Sequence, residues 1–460
     1  MMRLSEAARP LNAQLRAVDA VFTGVSTDTR TLTPGALFVA LRGEHHDGHR
    51  FMAQAAAAGA AAALIDAAGA DAVPAALPAL VVDDTRLALG RLAADWRSRF
   101  PIPLVALTGS SGKTTVKEML AAILRTATGA GVGDSASGAV LATRGNLNND
   151  IGMPLMLLEL TSAHRYAVIE MGMNHAGEIR YLTQLARPDV ALITNAGSAH
   201  IEFLGSTEAI ARAKGEIFDG LGAQGTAVFN GDDRYAPLWR ALVGTKPRLE
   251  FGLQPPAAVT GSYRLHALES EIVVTTPAGQ APVRLHAPGV HNVCNALAAA
   301  AAATVLGLAP DVIAAGLANY AGIRGRLQHR SGVNGAVVID DTYNANPESV
   351  RAAIDVLAQA PSGRILVFGD MGELGADAPR LHTEIGTYAR AAGIERMMTL
   401  GEQSAKSAAA FGAGARPYVE IEALLEDVRS AAVPGATILV KGSRFMRMER
   451  VVEALSGAAE

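Results

Sequence analysis

Short apolar runs bounded by turn residues recur at 104–107, 166–170, 189–194 and 226–229, with helical periodicity between several of them. This alternation predicts a largely parallel sheet with helices on both faces. From Thr207 to Phe218 the residues Ile210, Ala213, Ile217 and Phe218 trace one apolar helix face, and Thr207 stands where a cap is needed. An alanine-rich helix is predicted over 291–306. Upstream, 34–41 reads as a turn entering a strand and 51–58 as a further alanine-rich helix. Downstream, a new α/β region opens at Val337-Val338-Ile339, with strands at 364–368, 396–400 and 436–440. Prolines in Phe100-Pro101-Ile102-Pro103 and a Gly/Arg-rich junction at 322–326 divide the chain into three expected domains, 1–100, 101–320 and 321–460.

Composition narrows the class. At 460 residues the chain can bury several cores, and although half its residues are hydrophobic, alanine supplies much of that share and no charge-free apolar run reaches membrane-spanning length. A net charge of −4 with both signs spread along the chain argues against a nucleic-acid footprint. The single cysteine, Cys294, excludes an internal disulfide and fits a reducing compartment. The N-terminus lacks a secretory apolar stretch, so a cytoplasmic protein without membrane insertion is expected.

The chemistry centres on Val105-Ala106-Leu107-Thr108-Gly109-Ser110-Ser111-Gly112-Lys113-Thr114-Thr115, an apolar strand running through a small-residue turn into a helix. Glycines permit the tight bend, and the helix N-terminus offers N–H groups and positive dipole character to a polyphosphate. Lys113 is suited to β/γ-phosphates and the Thr114 hydroxyl to Mg²⁺. Leu107 stands where the usual phosphate loop has its first glycine, so this loop is shortened. In open parallel sheets ligands collect beyond the carboxyl ends of strands. Glu170 ends one predicted strand and His200 follows another, so both are candidates to face the loop; a capping acid and a solvated imidazole are the plain alternatives. Lys214 reads either as a surface lysine or as a buried amine able to react with carbon dioxide and become an anionic metal ligand. Asn292 suits a purine edge or a helix cap. Arg326 and Lys441 suit phosphate or substrate, and Asp341 a ribose, with solvated salt links as the alternative. Ser26, Thr27 and Asp28 suit uracil or ribose edges, or simply close a turn.

Taken together, the residues 108–115, Glu170, His200, Lys214 and His291-Asn292-Val293-Cys294-Asn295-Ala296 resemble the ATP-dependent Mur ligases of bacterial cell-wall synthesis. In that family the shortened loop is the expected form. The resemblance implies a three-domain α/β architecture: a UDP-substrate domain, a central mostly parallel P-loop ATPase-like sheet and a Rossmann-like C-terminal domain. It implies ATP and two Mg²⁺ ions as cofactors, with Thr114, Glu170, His200 and a carbamylated Lys214 as metal ligands. Catalytic roles would fall to Lys113, His200, Lys214 and Arg326. Nucleotide contacts would come from Gly109, Ser110, Ser111, Gly112, Lys113, Thr114, Thr115, Asn292, Arg326, Asp341 and Asn344. Substrate contacts would come from Ser26, Thr27, Asp28, Arg30, His46, Asp47, Gly48, His49, Asn148, Asn149, Lys441 and Arg444.

A narrower likeness lies in Asn146-Leu147-Asn148-Asn149, Asp340-Asp341-Thr342-Tyr343-Asn344-Ala345-Asn346-Pro347, Gly369-Asp370-Met371-Gly372-Glu373-Leu374-Gly375 and Lys441-Gly442-Ser443-Arg444. It points to the family branch that adds D-alanyl-D-alanine to UDP-MurNAc-tripeptide through an acyl phosphate, acting as a monomer. The diamino-acid-adding branch usually carries Asp-Asn-Pro-Arg in its third domain, which is absent here. A folate-type glutamate ligase would leave the N-terminal uridine pattern unexplained. A non-catalytic ATP-binding scaffold would need neither Glu170, His200 nor Lys214.

Overall fold

A computed structural model of the chain describes residues 1–44, 46–129, 138–198 and 201–456. The four expected central strands form as Leu104–Thr108, Tyr166–Glu170, Val190–Ile193 and Thr226–Asn230, and Val140–Ala142 and Arg248–Phe251 join them as edges. All six run parallel, in the spatial order 248–251, 226–230, 190–193, 104–108, 166–170, 140–142. The first strand in the chain therefore lies inside the sheet with later strands on both sides, which opens a crevice at its carboxyl end.

Strand alternation sorts the side chains onto two faces. Leu104, Ala106, Ile169, Ala191 and Ile193 enter one core, and Val105, Leu107, Val168, Val190 and Leu192 the other. The second face is covered by Lys113–Thr128, Val290–Val305 and Pro310–Ala318. Alanines 298–303 are buried on every side of their helix, because small side chains let neighbouring backbones come close. At Gly316 even a methyl group would lie 2.3 Å from Ile123 Cα. A three-stranded antiparallel sheet, Thr260–Leu265, Ser270–Thr276 and Gly279–Leu285, seals the outer side of these helices.

The C-terminal sheet has the order Gln328–Ser331, Val337–Asp341, Thr437–Lys441, Arg364–Gly369, Arg396–Leu400, Ala415–Tyr418, with only the first strand antiparallel. Its two faces fill separate cores of their own. The N-terminal sheet runs Gln14–Arg16, Ala79–Val82, Ala62–Asp66, Leu37–Val39, Val25–Ser26. It differs from the C-terminal unit in one respect: residues from it share a single core with the central sheet, through helix Thr85–Ser98 packed on Gly152–Leu157 and Glu178–Ala186.

One local expectation is corrected. Thr207 does not cap its helix: the Ser206 hydroxyl accepts from Ala209 N at 3.1 Å, while Thr207 Oγ1 meets the Tyr235 hydroxyl at 2.6 Å. Serine in extended backbone one residue earlier serves the same capping chemistry. No helix among the described residues is long and apolar enough to cross a membrane.

The proline-rich join at 100–103 is tied down by Arg97. Its buried guanidinium donates to the carbonyls of Phe100, Ile102 (3.2 Å) and Ala186 (3.2 Å) and lies 3.7 Å from Asp189. Arg97→Ala leaves these carbonyls without their donor and is expected to lower stability by about 2–3 kcal/mol. Urea denaturation followed by tryptophan fluorescence checks it; an unchanged midpoint would mean that water replaces the guanidinium at no cost.

Candidate active site

The phosphate loop is braced by the turn that follows the neighbouring strand. Ser110 N donates to Asn195 O (3.1 Å), and Ser111 N donates to Asn195 Oδ1 (2.9 Å). Ser111 O accepts from Thr194 Oγ1 (2.7 Å) and Asn195 Nδ2 (3.1 Å), and Gly197 N donates to Ser110 Oγ (2.9 Å). Two backbone N–H groups of the loop are thus engaged within the protein. The donors left for an anion are those of the first turn of helix Lys113–Thr128, which have no intrahelical acceptor. The close fit explains the glycines: a Cβ at Gly109 would lie 1.8 Å from Thr194 Oγ1. Gly112 caps the helix at φ +81°, and a Cβ there would lie 2.3 Å from Asn295 Oδ1.

Charge is concentrated around this bend. Lys113 Nζ donates to Gly109 O at 2.8 Å. Burial pulls its pKa below the ordinary lysine value; Glu170 opposes that shift and Arg326 adds to it. Glu170, at the carboxyl end of Tyr166–Glu170, is 2% exposed. Its Oε1 accepts from Asn148 Nδ2 at 2.8 Å, and its Oε2 has no partner among the described residues. A buried carboxylate oxygen left open is the hard donor that Mg²⁺ prefers, so the residues present fit such an ion beside the loop. Thr114 Oγ1, the other hard donor, accepts from Arg326 Nη2 at 2.9 Å.

Lys214 is 1% exposed and has no ion pair among the described residues, so the surface alternative does not hold. Burial, with the Lys113 charge added, holds its pKa well below the lysine value. Its helix Thr207–Gly215 buries it because Ile210, Ala211 and Ala213 pack around the same turn. It does not line the open cavity described next. His200 lies outside the described residues.

The cavity, about 860 Å³, joins all three units. Of the residues expected at the site, Ser110 to Thr115, Asn148, Asn149, Glu170, Asn292, Arg326, Asp341, Asn344 and Lys441 line it. Gly109, Ser26, Thr27, Asp28, Arg30, His46, Asp47, Gly48, His49 and Arg444 do not. In the N-terminal unit, Asp28 pairs with the exposed Arg30 at 2.6 Å, which holds the carboxyl down at about 2. Buried His49 is bracketed by Asp47 Oδ1 at 2.7 Å and by Asp66 N, which donates to His49 Nε2 at 3.2 Å. Arg444 pairs with Glu449 at 3.2 Å.

From the C-terminal unit, Arg326 stacks over Tyr343 with its guanidinium carbon 4.2 Å from the ring centre, and Asn346 Nδ2 donates to Ser111 Oγ at 3.2 Å. Glu348 accepts from Ser198 N and Oγ at 3.1 and 2.8 Å. Lys441 Nζ is committed to Asp341 Oδ2 at 2.6 Å and Asn344 O at 2.9 Å. Burial still raises the Asp341 pKa, with Lys441 opposing, and burial plus the Lys441 charge takes His291 down to about 4. Asn292 bonds back to Pro288 O at 2.8 Å from the first turn of its helix and accepts from Asn295. Burial pushes the Cys294 thiol up to about 11, so it is protonated and unreactive at neutral pH.

Asn195, Thr194, Tyr343 and the pair Arg86–Asp150 were not singled out from the sequence. Thr194 ends and Asn195 follows the strand predicted over 189–194, and the carboxyl-end rule applied to every strand would have found them. Nothing in the sequence linked Arg86 to Asp150, 64 residues apart and 2.7 Å from each other.

A phosphate loop on a parallel sheet, with an α/β unit on either side contributing to one cavity, is the arrangement of a three-unit nucleotide-binding α/β protein. Residues 21–97 match the Mur ligase family catalytic domain, 107–303 the Mur ligase middle domain and 325–444 the Mur ligase glutamate ligase domain. UDP-N-acetylmuramoyl-tripeptide--D-alanyl-D-alanine ligase of Escherichia coli is 44% identical over 98% of both chains, and that of Bacillus subtilis 37% identical over 95% of this chain and 93% of its own. The crystal structure of MurF from Acinetobacter baumannii superposes with a TM-score of 0.88 at 34% identity over 98% of both chains. MurF from Thermotoga maritima, solved with ADP, gives 0.82 at 27% identity over 94% of this chain and 97% of that one. The chain belongs to the Mur ligase family, whose members typically depend on ATP and Mg²⁺.

Gly112→Ala tests the loop. Positive φ and the Asn295 overlap oppose the methyl group together, so ATP affinity is expected to fall about tenfold or more, equivalent to at least ~1.4 kcal/mol. Isothermal titration calorimetry on the folded variant reads it; wild-type affinity would show that the loop yields freely.

Proposed function

We propose that the protein joins D-alanyl-D-alanine to UDP-N-acetylmuramoyl-tripeptide with ATP, yielding the UDP-linked pentapeptide, ADP and phosphate for peptidoglycan synthesis. The observation that carries this reading is the single cavity shared by the phosphate loop, Glu170, the 146–150 loop and Arg326, in a chain aligned almost end to end with relatives named for this reaction. A single cysteine, which can form no disulfide within the chain, accords with a cytoplasmic setting.

A carboxylate is a poor acyl donor because it has no good leaving group. The tripeptide's terminal carboxylate oxygen therefore attacks the γ-phosphorus of ATP, the bond to the β,γ-bridging oxygen breaks, and ADP leaves behind an acyl phosphate. Lys113 and the N–H groups of the following helical turn hold the anionic phosphates, and Arg326 adds a second cation from the C-terminal unit. The D-alanyl-D-alanine amine then attacks the acyl carbon; the carbon–oxygen bond to phosphate breaks, the amine loses a proton, and an amide remains. Water must be kept from the acyl phosphate, and the C-terminal unit is the part able to close over it, because it keeps its own cores and hydrogen bonds seat it on the phosphate loop and the adjoining 195–198 turn. Bound Mg²⁺ would offset the repulsion between phosphate and carboxylate. Thr114 and Glu170 are the donors we assign to one ion, and His200 with a carbamylated Lys214 to a second.

The amine's state supports carbamylation. A neutral Nζ adds to carbon dioxide and releases a proton, and burial favours the neutral form. The carbamate restores negative charge where Lys113 lies close enough to depress the amine. Acidification protonates the amine and reverses the addition, so turnover is expected to fall as pH drops through this equilibrium.

Incubation with ATP, Mg²⁺, UDP-MurNAc-tripeptide and D-alanyl-D-alanine is expected to give, by mass spectrometry, a product heavier by the dipeptide minus water. No ATP-dependent increase of that size rejects the assignment. Lys214→Gln keeps an uncharged side chain at the buried position but cannot form the carbamate; turnover is expected to drop about a hundredfold while the protein stays folded. Wild-type turnover in a folded Lys214→Gln protein removes the carbamate from the mechanism.

A further inference from the structure

The family resemblance assigns Asn148 to the sugar or peptide of the substrate, whereas in the structure its side chain bonds to Glu170. Asn148 Nδ2 donates to Glu170 Oε1 at 2.8 Å, and Asn148 O accepts from Gly172 N at 2.8 Å. Its Oδ1 lies 2.9 Å from where a Cβ would stand on Gly172. The residue is thus pressed against the strand end 170–172 by side chain and backbone together. A carboxylate only accepts hydrogen bonds, so the amide NH₂ must be the end that faces it.

The loop carrying Asn148 is itself held. Asn149 Oδ1 accepts from Ile151 N at 3.2 Å and Gly152 N at 2.8 Å, starting helix Gly152–Leu157. Next along the chain, Asp150 takes Arg86 Nη2 at 2.7 Å, which anchors the loop to the N-terminal unit. On the other side, Glu170 N donates to Thr143 Oγ1 at 2.9 Å. A side chain fixed on a rigid loop can hold a second side chain in one rotamer.

We infer that Asn148 is a positioning residue, which fixes the Glu170 carboxylate so that its unpartnered oxygen is presented to the catalytic cation. The inference rests on the proposed metal role of Glu170. The chemistry of the partner supports it: a lysine or arginine here would fix the carboxylate but cancel its charge, whereas a neutral amide fixes one oxygen and leaves the negative charge for the cation. Only one of the two oxygens is occupied, so the other stays open and buried.

The probe is Mn²⁺ binding to the ADP-loaded protein without UDP substrate, read by electron paramagnetic resonance, alongside UDP-MurNAc-tripeptide binding by calorimetry. Asn148→Ala is expected to weaken Mn²⁺ about ten- to a hundredfold and to change UDP-MurNAc-tripeptide affinity by no more than about twofold. Gly172→Ala, which drives a methyl group into the Asn148 carboxamide, is expected to reproduce the Mn²⁺ effect without touching Asn148 itself. Glu170→Gln separates the two levels. If it abolishes Mn²⁺ binding while both other variants bind Mn²⁺ normally, or if Asn148→Ala weakens only the UDP substrate, the positioning role is overturned and the metal role of Glu170 stands. If Glu170→Gln leaves Mn²⁺ affinity unchanged, the metal role falls, and the positioning role with it.

Discussion

The brace between the phosphate loop and the 194–197 turn is the constraint on which the site depends. A loop shortened to four residues between Thr108 and Lys113 cannot satisfy its own peptide groups, and buried peptide groups without partners cost free energy. Asn195 resolves this with three groups at once: its carbonyl takes Ser110 N, its side-chain oxygen takes Ser111 N, and its amide meets Ser111 O. These partners are available only because Val190–Ile193 pairs in parallel beside Leu104–Thr108, so both strands end at the same edge. The anion site is therefore a property of the sheet topology as much as of the glycine motif. Its donors are the free N–H groups of one helix N-terminus, oriented before any ligand arrives.

That edge gathers Lys113, Lys214 and Arg326, and Glu170, Asp341, Glu348 and Glu373 line the same cavity as Lys113 and Arg326. Burial disfavours the charged form of both lysines, and a neighbouring cation adds to it, Arg326 for Lys113 and Lys113 for Lys214. A polyphosphate beside Lys113 would favour its charged form.

Much of this was legible in the chain. Every expected central strand formed, because short apolar runs between helices have few alternatives in an α/β protein. The edge strands Val140–Ala142 and Arg248–Phe251 escaped notice since three or four residues carry no readable period, and Arg248 and Glu250 are polar. The antiparallel sheet at 260–285 did alternate, with Ser270, Ile272, Val274 and Thr276 buried, but serine and threonine on the inward face blurred the contrast. For the site, residue type and position at a strand end placed Lys113 and Glu170 correctly in one cavity. They could not tell a buried lysine from a surface one at position 214, since a lysine beside an apolar stripe reads identically in both cases. Nor could they reveal that Asn148 faces Glu170, because side-chain direction on an irregular loop has no periodicity to read.

The contrast between the two junctions of the chain carries the last step. The N-terminal and central units share one apolar core, and separating them would expose it, so they behave as a single body. The C-terminal unit keeps its own cores and meets the phosphate loop and the 195–198 turn through Arg326, Asn346 and Glu348. Hydrogen bonds of this kind exchange readily with water and contribute little net stability each, so this seat can be left and regained at modest cost. Two of its contacts, to Ser111 and Thr114, fall on the loop that the nucleotide would occupy. A ligand shifts a conformational equilibrium only by binding its states unequally. On the proposed assignment, nucleotide and metal compete directly for the Thr114 hydroxyl held by Arg326, so they bind the seated and released arrangements unequally. Nucleotide occupancy and the position of the C-terminal unit are then coupled at the phosphate loop itself, through the contacts to Ser111 and Thr114.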